Sequence, residues 1–239
     1  MKIDFSGNVV LVAGGTGGLG RAVSLAFLAE GAKVAVTYRK PDEFAALQSA
    51  AGANAAALEG HSVDVTDEHA IAELIARTLA RHGKIDAVVN AIGGYAGGIK
   101  LWDLETKTLD AMLALNLRSG FTLARAAIPA MLKQRHGSIV NVAAKAAFDH
   151  ASGAAAYAAS KAAAVAMMDS LAADAKGTGV RVNSVLPSII DTAANRNAMP
   201  NADFASWPKP EDIAQVILFL SSDNARTIHG AAIPVYGNN

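Results

Sequence analysis

Short apolar runs alternate with longer stretches of helical periodicity from one end of the chain to the other. Runs at Val9 to Ala13, Val34 to Tyr38, the stretch ending at Asp64, Ala87 to Ala91, Ile139 to Ala143, Val182 to Leu186 and Ile233 to Tyr236 read as strands. Amphipathic segments between them read as helices over Leu19 to Glu30, Glu43 to Ala50, Glu68 to Arg81, Leu109 to Lys133, Ala155 to Lys176 and Glu211 to Leu220. Strand and helix in turn is the pattern of a parallel sheet covered on both faces. Thr66 and the acidic run Glu68 to Glu73 mark a helix start, and His82-Gly83 marks its end. Pro129, inside the fourth predicted helix, is expected to kink it. Ser188 to Pro210 shows no periodicity, carries three prolines and Trp207, and reads as either a functional lid or a disordered segment. Neither an internal repeat nor a low-complexity linker divides the chain, so one α/β domain over 1–239 is expected.

Composition narrows the classes of partner. With 239 residues, 52% of them hydrophobic, the chain can bury a sizeable core. Lys+Arg 21 balance Asp+Glu 21, which argues against recruitment by nucleic acid or an anionic membrane. Cysteine is absent, which removes disulfides, thiolate metal sites and thiol catalysis. His61, His69, His82, His136, His150 and His229 show no metal-ligand spacing, so no metal site is expected. The start of the chain lacks the apolar run of a signal peptide, and no stretch is long and apolar enough to span a bilayer. A cytoplasmic protein acting on a small molecule is the expectation.

Two clusters carry candidate chemistry. Gly14, Gly18 and Gly20 follow a strand and open a helix, where close backbone approach and a positive helix end suit a pyrophosphate. An ordinary glycine turn is the competing reading. Tyr157 and Lys161, four residues apart on a predicted helix, address one pocket. The ammonium is expected to stabilise the phenolate and lower the tyrosine pKa, which suits a proton donor. Together, in this order, the clusters point to nicotinamide-dependent hydride transfer. Where an NAD enzyme places a carboxylate for the ribose 2′-hydroxyl, the second strand ends in Tyr38-Arg39-Lys40. Arginine and lysine there attract a 2′-phosphate, so NADP(H) is expected over NAD(H), unless this is only a solvated basic turn. Asp64 either meets an adenine amino group or caps the Thr66-Asp67-Glu68 turn.

On these residues the chain resembles the short-chain dehydrogenase/reductase superfamily over nearly its whole length. The resemblance implies a single Rossmann-like, doubly wound domain with a seven-stranded parallel sheet, in a homodimer or homotetramer. Its T-G-x-x-x-G-x-G motif matches here with Ala13 in place of threonine, and its Asn-Asn-Ala-Gly stretch becomes Asn90-Ala91-Ile92-Gly93-Gly94. It implies Tyr157, Lys161 and Asn116 as catalytic residues, with Asn116 holding a relay water and Lys161 also on the nicotinamide ribose. For the cofactor it implies Gly14, Thr16, Gly18, Leu19, Gly20, Arg39, Asp64, Val65, Asn90, Pro187 and Thr192.

One family residue is missing. Thirteen positions before the tyrosine, where the family has a serine that donates to the substrate oxygen, this chain has Ala144. Another donor (Asn141, Lys145 or Ser152) replaces it, or the protein is an inactive member, or the substrate is not a simple ketone. Dihydropteridine reductases, a branch of the same superfamily, also carry alanine there. The segment Ala144 to Asp149, the loop Ile92 to Gly98 and the lid Asp191 to Trp207 are similar to theirs. That resemblance implies a flat, conjugated acceptor such as a quinonoid dihydropterin, with Tyr95, Ala144, Lys145 and His150 on the substrate side. A ketone reductase and a dinucleotide-binding regulatory protein without turnover are the alternatives. Trp102 is expected to pack the fourth helix, and Trp207 to anchor the lid.

Overall fold

The computed structural model describes residues 3–238; Met1, Lys2 and Asn239 of the expected 1–239 domain lie outside the described residues. The chain runs β1 (Val9–Ala13), α1 (Gly18–Ala29), β2 (Lys33–Tyr38), α2 (Pro41–Ala51), β3 (Leu58–Ser62), α3 (Glu68–His82) and β4 (Ala87–Asn90). It continues through α4 (Thr106–Leu113), a π-helical turn (Ala114–Arg118), α5 (Ser119–Gln134), β5 (Gly137–Val142) and α6 (Ala155–Asp174). Last come β6 (Val180–Pro187), α7 (Ala193–Ala198), α8 (Pro210–Ser221) and β7 (Ala232–Val235).

All seven strands pair in parallel, in the order β3-β2-β1-β4-β5-β6-β7. The order reverses between β1 and β4, and that switch opens a crevice at the carboxyl ends of the strands. Both faces are covered, and the two-residue period of β1 shows how. Val10 and Val12 point into one core with α1, α2 and α8; Leu11 and Ala13 point into the other with α3, α5 and α6. No helix among the described residues is long and apolar enough to cross a membrane.

The third helix starts and stops where its local signals put it, with the cap one residue past Thr66. Asp67 caps α3 by accepting from His69 N at 2.9 Å and Ala70 N at 3.1 Å, and Gly83 closes it in the left-handed conformation. Three expectations need correction, and one left open is resolved. The third strand ends at Ser62, not Asp64, because Asp64 Oδ1 accepts from Thr66 N and Oγ1 at 2.9 and 2.8 Å and turns the chain out of the sheet. The single fourth helix is two helices, α4 and α5, joined by the π-helical turn around Asn116; α5 runs through Pro129 to Gln134. The Ser188 to Pro210 stretch is ordered: Thr192 caps α7, and Phe204–Ser206 form a 3₁₀ turn. Trp207 is buried there, as expected of an anchor, but Trp102 is 81% exposed and packs no helix.

Candidate active site

The glycine-rich turn between β1 and α1 is shaped by what its residues lack. A Cβ on Gly20 would stand 2.0 Å from the Gly14 carbonyl oxygen, and one on Gly18 would stand 2.8 Å from Thr192 Cγ2. The first absence lets α1 close onto the turn, and the second lets the lid base rest on the turn. α1 has no side-chain cap and no acidic residue in its first turn, whereas α2, α3 and α8 all carry acidic first turns. α4, α5 and α6 share that lack, so what distinguishes the start of α1 is the glycine-rich turn that leads into it, whose backbone an anion can approach closely. Leu19 is buried beneath it, and Gly14 N donates to Thr37 Oγ1 at 2.9 Å, tying the turn to β2.

At the end of β2, Arg39 is exposed and has no ion-pair partner among the described residues. Asp64 is exposed as well, and its carboxyl is held below the usual carboxylate range, first by the two hydrogen bonds from Thr66 and to a smaller extent by Arg39. The capping reading of Asp64 is the one the geometry realises. Val65 is buried, its carbonyl accepting from Thr122 Oγ1 at 2.6 Å. Asn90 closes β4 with Nδ2 donating to Asn141 Oδ1 at 2.8 Å and Oδ1 accepting from Ile92 N at 3.2 Å. Pro187 ends β6, and Thr192 follows as the cap of α7.

Tyr157 and Lys161 lie on α6 beside the loop that leaves β4. Gly93 sits against both Lys161 and Asn116: a Cβ there would meet Lys161 Nζ at 3.0 Å and Asn116 Oδ1 at 3.2 Å. Lys161 is buried, and its Nζ donates to the Val142 carbonyl at 3.0 Å. Burial lowers its pKa to about 8. The Tyr157 phenol moves the other way, up to about 12, pushed first by burial and then by the neighbouring Tyr95. The expected depression of the tyrosine by the lysine is thus overturned. The ammonium is tied to β5, while a second phenol stands 5.0 Å from the first, edge to face.

Asn116 is more fully engaged than its sequence context suggested. Its Oδ1 accepts from Gly94 N, and its Nδ2 donates to Gly94 O and Ser160 Oγ, each at 3.0 Å. Ser160 Oγ in turn donates to the Tyr157 carbonyl at 2.7 Å. The side chain therefore clamps the β4 loop to the tyrosine's helix. Ser160 was missed by sequence reasoning, although it stands directly before Lys161.

Ala144 is buried just beyond the end of β5. Asn141 faces α5, its Oδ1 accepting from Asn90 Nδ2 while its own buried Nδ2 has no hydrogen-bond partner; Lys145 pairs with Asp149 at 3.5 Å and lies over the Tyr236 ring; Ser152 Oγ accepts from Lys100 Nζ at 2.7 Å. His150 is exposed and its Nε2 lies 3.2 Å from the Ala147 carbonyl, inside its own loop. Of the substrate-side candidates, Tyr95 is the one brought against Tyr157.

Residues 8–203 match the short chain dehydrogenase family. The chain belongs to it. The 3-oxoacyl-acyl-carrier-protein reductase FabG of Thermotoga maritima is 32% identical over 239 residues, covering 97% of either chain. D-threitol dehydrogenase of Mycolicibacterium smegmatis is 32% identical over 253 residues, 99% of this chain and 96% of that one. Among solved structures, a short-chain type dehydrogenase/reductase from Mycobacterium ulcerans matches with TM-score 0.92 at 28% identity, covering 99% of this chain and 90% of that one. As a short chain dehydrogenase the protein is an oxidoreductase of the NAD(P)-binding kind, and the open helix end and glycine turn fit that cofactor.

Proposed function

We propose that this short chain dehydrogenase uses NADPH to reduce a flat, conjugated acceptor of the quinonoid dihydropterin type. The observation that carries the reading is the buried Ala144 at the position where the family's serine would donate. A ketone oxygen next to Tyr157 would receive one hydroxyl hydrogen bond instead of two, and losing such a donor costs about 2.7–4 kcal/mol of transition-state stabilisation. An imine-like nitrogen that takes its proton from one phenol has no need of the second. The similarity of the lid and the β4 loop to dihydropteridine reductases supports the same choice, and Tyr95 offers an aromatic wall for a flat ring.

In this reading the bound nicotinamide supplies the hydride. Gly14, Thr16, Gly18, Leu19 and Gly20 hold the pyrophosphate side, and Arg39 holds the 2′-phosphate. Asp64, Val65 and Asn90 border the adenosine, while Pro187 and Thr192 border the nicotinamide. Tyr157, protonated throughout the neutral range, holds the proton to be delivered from its hydroxyl. Lys161 binds the nicotinamide ribose and stabilises the phenolate left behind. Because the Asn116 amide is already engaged, a relay water falls to its main-chain carbonyl in the π-helical turn. A groove of about 720 Å³ on the outer face of α4, α5 and α6, lined by Leu117, Phe121 and Met167 among others, is the surface we assign to a homodimer or homotetramer.

A second reading, an NADPH-dependent ketone reductase, is favoured by the 3-oxoacyl reductase relative. Initial rates with NADPH on a quinonoid dihydropterin and on a β-keto ester separate the two, for wild type and Ala144→Ser. Wild type is expected to turn over the dihydropterin, and the serine to raise only the keto-ester rate. Efficient wild-type reduction of the keto ester, with none of the dihydropterin, overturns the acceptor reading and leaves the ketone reductase.

A further inference from the structure

In an open parallel sheet the adenine ribose of a bound dinucleotide lies between the glycine-rich turn and the end of β2. Arg39, Lys40, Asp42, Glu43 and Asp64 are charged side chains near that rim, and Glu43 is the one whose position the sequence did not announce. It stands in the first turn of α2, where an acidic residue ordinarily faces water and favours the helix dipole. Here its carboxylate reaches across the crevice. One oxygen, Oε1, lies 3.0 Å from Lys40 Nζ, and the other, Oε2, accepts from Thr16 Oγ1 at 3.2 Å. Thr16 belongs to the glycine-rich turn, 27 residues earlier in the chain. The carboxylate therefore links the turn to the β2–α2 loop across the mouth of the ribose site. Asp42 remains at the helix start to meet the dipole, so the helix does not need Glu43 in this pose.

We propose that Glu43 is an internal stand-in for the 2′-phosphate and sets the ratio of NADP(H) to NAD(H) binding. In the free protein it holds Lys40 and the Thr16 hydroxyl in the arrangement a phosphate would use. A 2′-phosphate must displace it, since two anions cannot share one lysine and one hydroxyl without repulsion. A ribose 2′-hydroxyl makes no such demand and can donate to the carboxylate where it stands. Arg39, in no ion pair among the described residues and only weakly coupled to Asp64, attracts the phosphate; Glu43 opposes it. The balance between the two decides how strict the enzyme is. This inference rests on the cofactor reading above.

Nicotinamide fluorescence titrations with NADPH and NADH, and calorimetry with 2′,5′-ADP and 5′-ADP, test it on wild type, Glu43→Gln and Arg39→Ala. Glutamine keeps the length and the contact with Thr16 but removes the charge. It is expected to tighten NADPH and 2′,5′-ADP by roughly tenfold while leaving NADH and 5′-ADP unchanged or weaker. Unchanged or weaker NADPH binding by Glu43→Gln, with Arg39→Ala still losing NADPH affinity, overturns the role of Glu43 and leaves the cofactor reading standing. If wild type binds NADPH no tighter than NADH and Arg39→Ala changes nothing, the cofactor reading falls and this inference with it. Thermal melts check that Glu43→Gln is folded. Should it not be, Glu43→Asp, which keeps the charge but falls short of Thr16, is expected to show a smaller gain for NADPH, and no gain overturns the proposal.

Discussion

At the glycine-rich turn the protein makes room by leaving side chains out, while around Tyr157 it makes chemistry by burying polar ones. Gly20 lies against the Gly14 carbonyl, and the end of α1 is uncapped, so the anion site there consists of backbone. At the other end, Lys161 and Asn116 are fully buried, Tyr157 is partly covered, and each is held by a named partner. The first arrangement depends on steric absence and tolerates no added atoms. The second depends on desolvation, which moves pKa values and costs stability. The difference teaches where each region is vulnerable: one to added volume, the other to lost or gained charge.

The largest expected effect tests the side-chain end. Tyr157→Phe removes the proton donor and is expected to lower kcat by about 10²–10⁴-fold while leaving cofactor affinity within a small factor. Steady-state rates at saturating cofactor, beside a cofactor titration, check it; near-normal kcat would place the donor elsewhere.

Lys161→Met measures the cost of burying charge. The lysine titrates near 8 in the folded protein against its ordinary 10.5, so between these values the unfolded chain binds more protons and stability rises with pH. The penalty is fully present below pH 8 and is relieved as pH climbs toward 10.5. Methionine is expected to stabilise the cofactor-free protein at pH 7 by about 3 kcal/mol. The gain should shrink toward zero near pH 10.5, even as activity is lost. Urea unfolding of both proteins at the two pH values reads this directly, and an equal gain at both would mean the lysine's charge is not what costs stability.

Gly20→Ala probes the opposite vulnerability. Its Cβ has only 2.0 Å to the Gly14 oxygen, so the turn must shift, at about 1–3 kcal/mol. Cofactor affinity should fall with stability, because the displaced backbone is the anion site. A variant that melts like wild type and binds the dinucleotide normally would show that α1 can retreat freely.

The smallest effect is the subtlest comparison, because Gly97 carries the logic of absence into the side-chain region. A Cβ there would stand 2.0 Å from the Tyr95 hydroxyl oxygen, so Gly97→Ala must swing the ring that lies against Tyr157. Stability should change little at this exposed loop. KM for the acceptor should rise by roughly threefold to tenfold with kcat nearly kept, the signature of lost ground-state binding. A change in kcat with constant KM would instead make Tyr95 part of the chemical step.

The alternation of strands and helices, the turn at Gly14 to Gly20, the start of α3 just after Thr66 and the pairing of Tyr157 with Lys161 on one helix were all legible in the sequence. Each follows from rules that act over a few residues: apolar period, side-chain size, and hydrogen bonds to the adjacent backbone. The π-helical turn at Asn116, the upward shift of Tyr157, the engagement of Asn141, Lys145 and Ser152, and the reach of Glu43 to Thr16 were not. In those cases a side chain's partner lies on a different element, and its titration depends on how much water the packed elements exclude. Asn116 meets Gly94 and Ser160, which stand 22 and 44 residues away in the chain, only after α4, α5 and α6 have closed around the β4 loop. Periodicity along the chain carries no information about such encounters, because they are settled by which faces meet when the sheet and its two helical layers assemble.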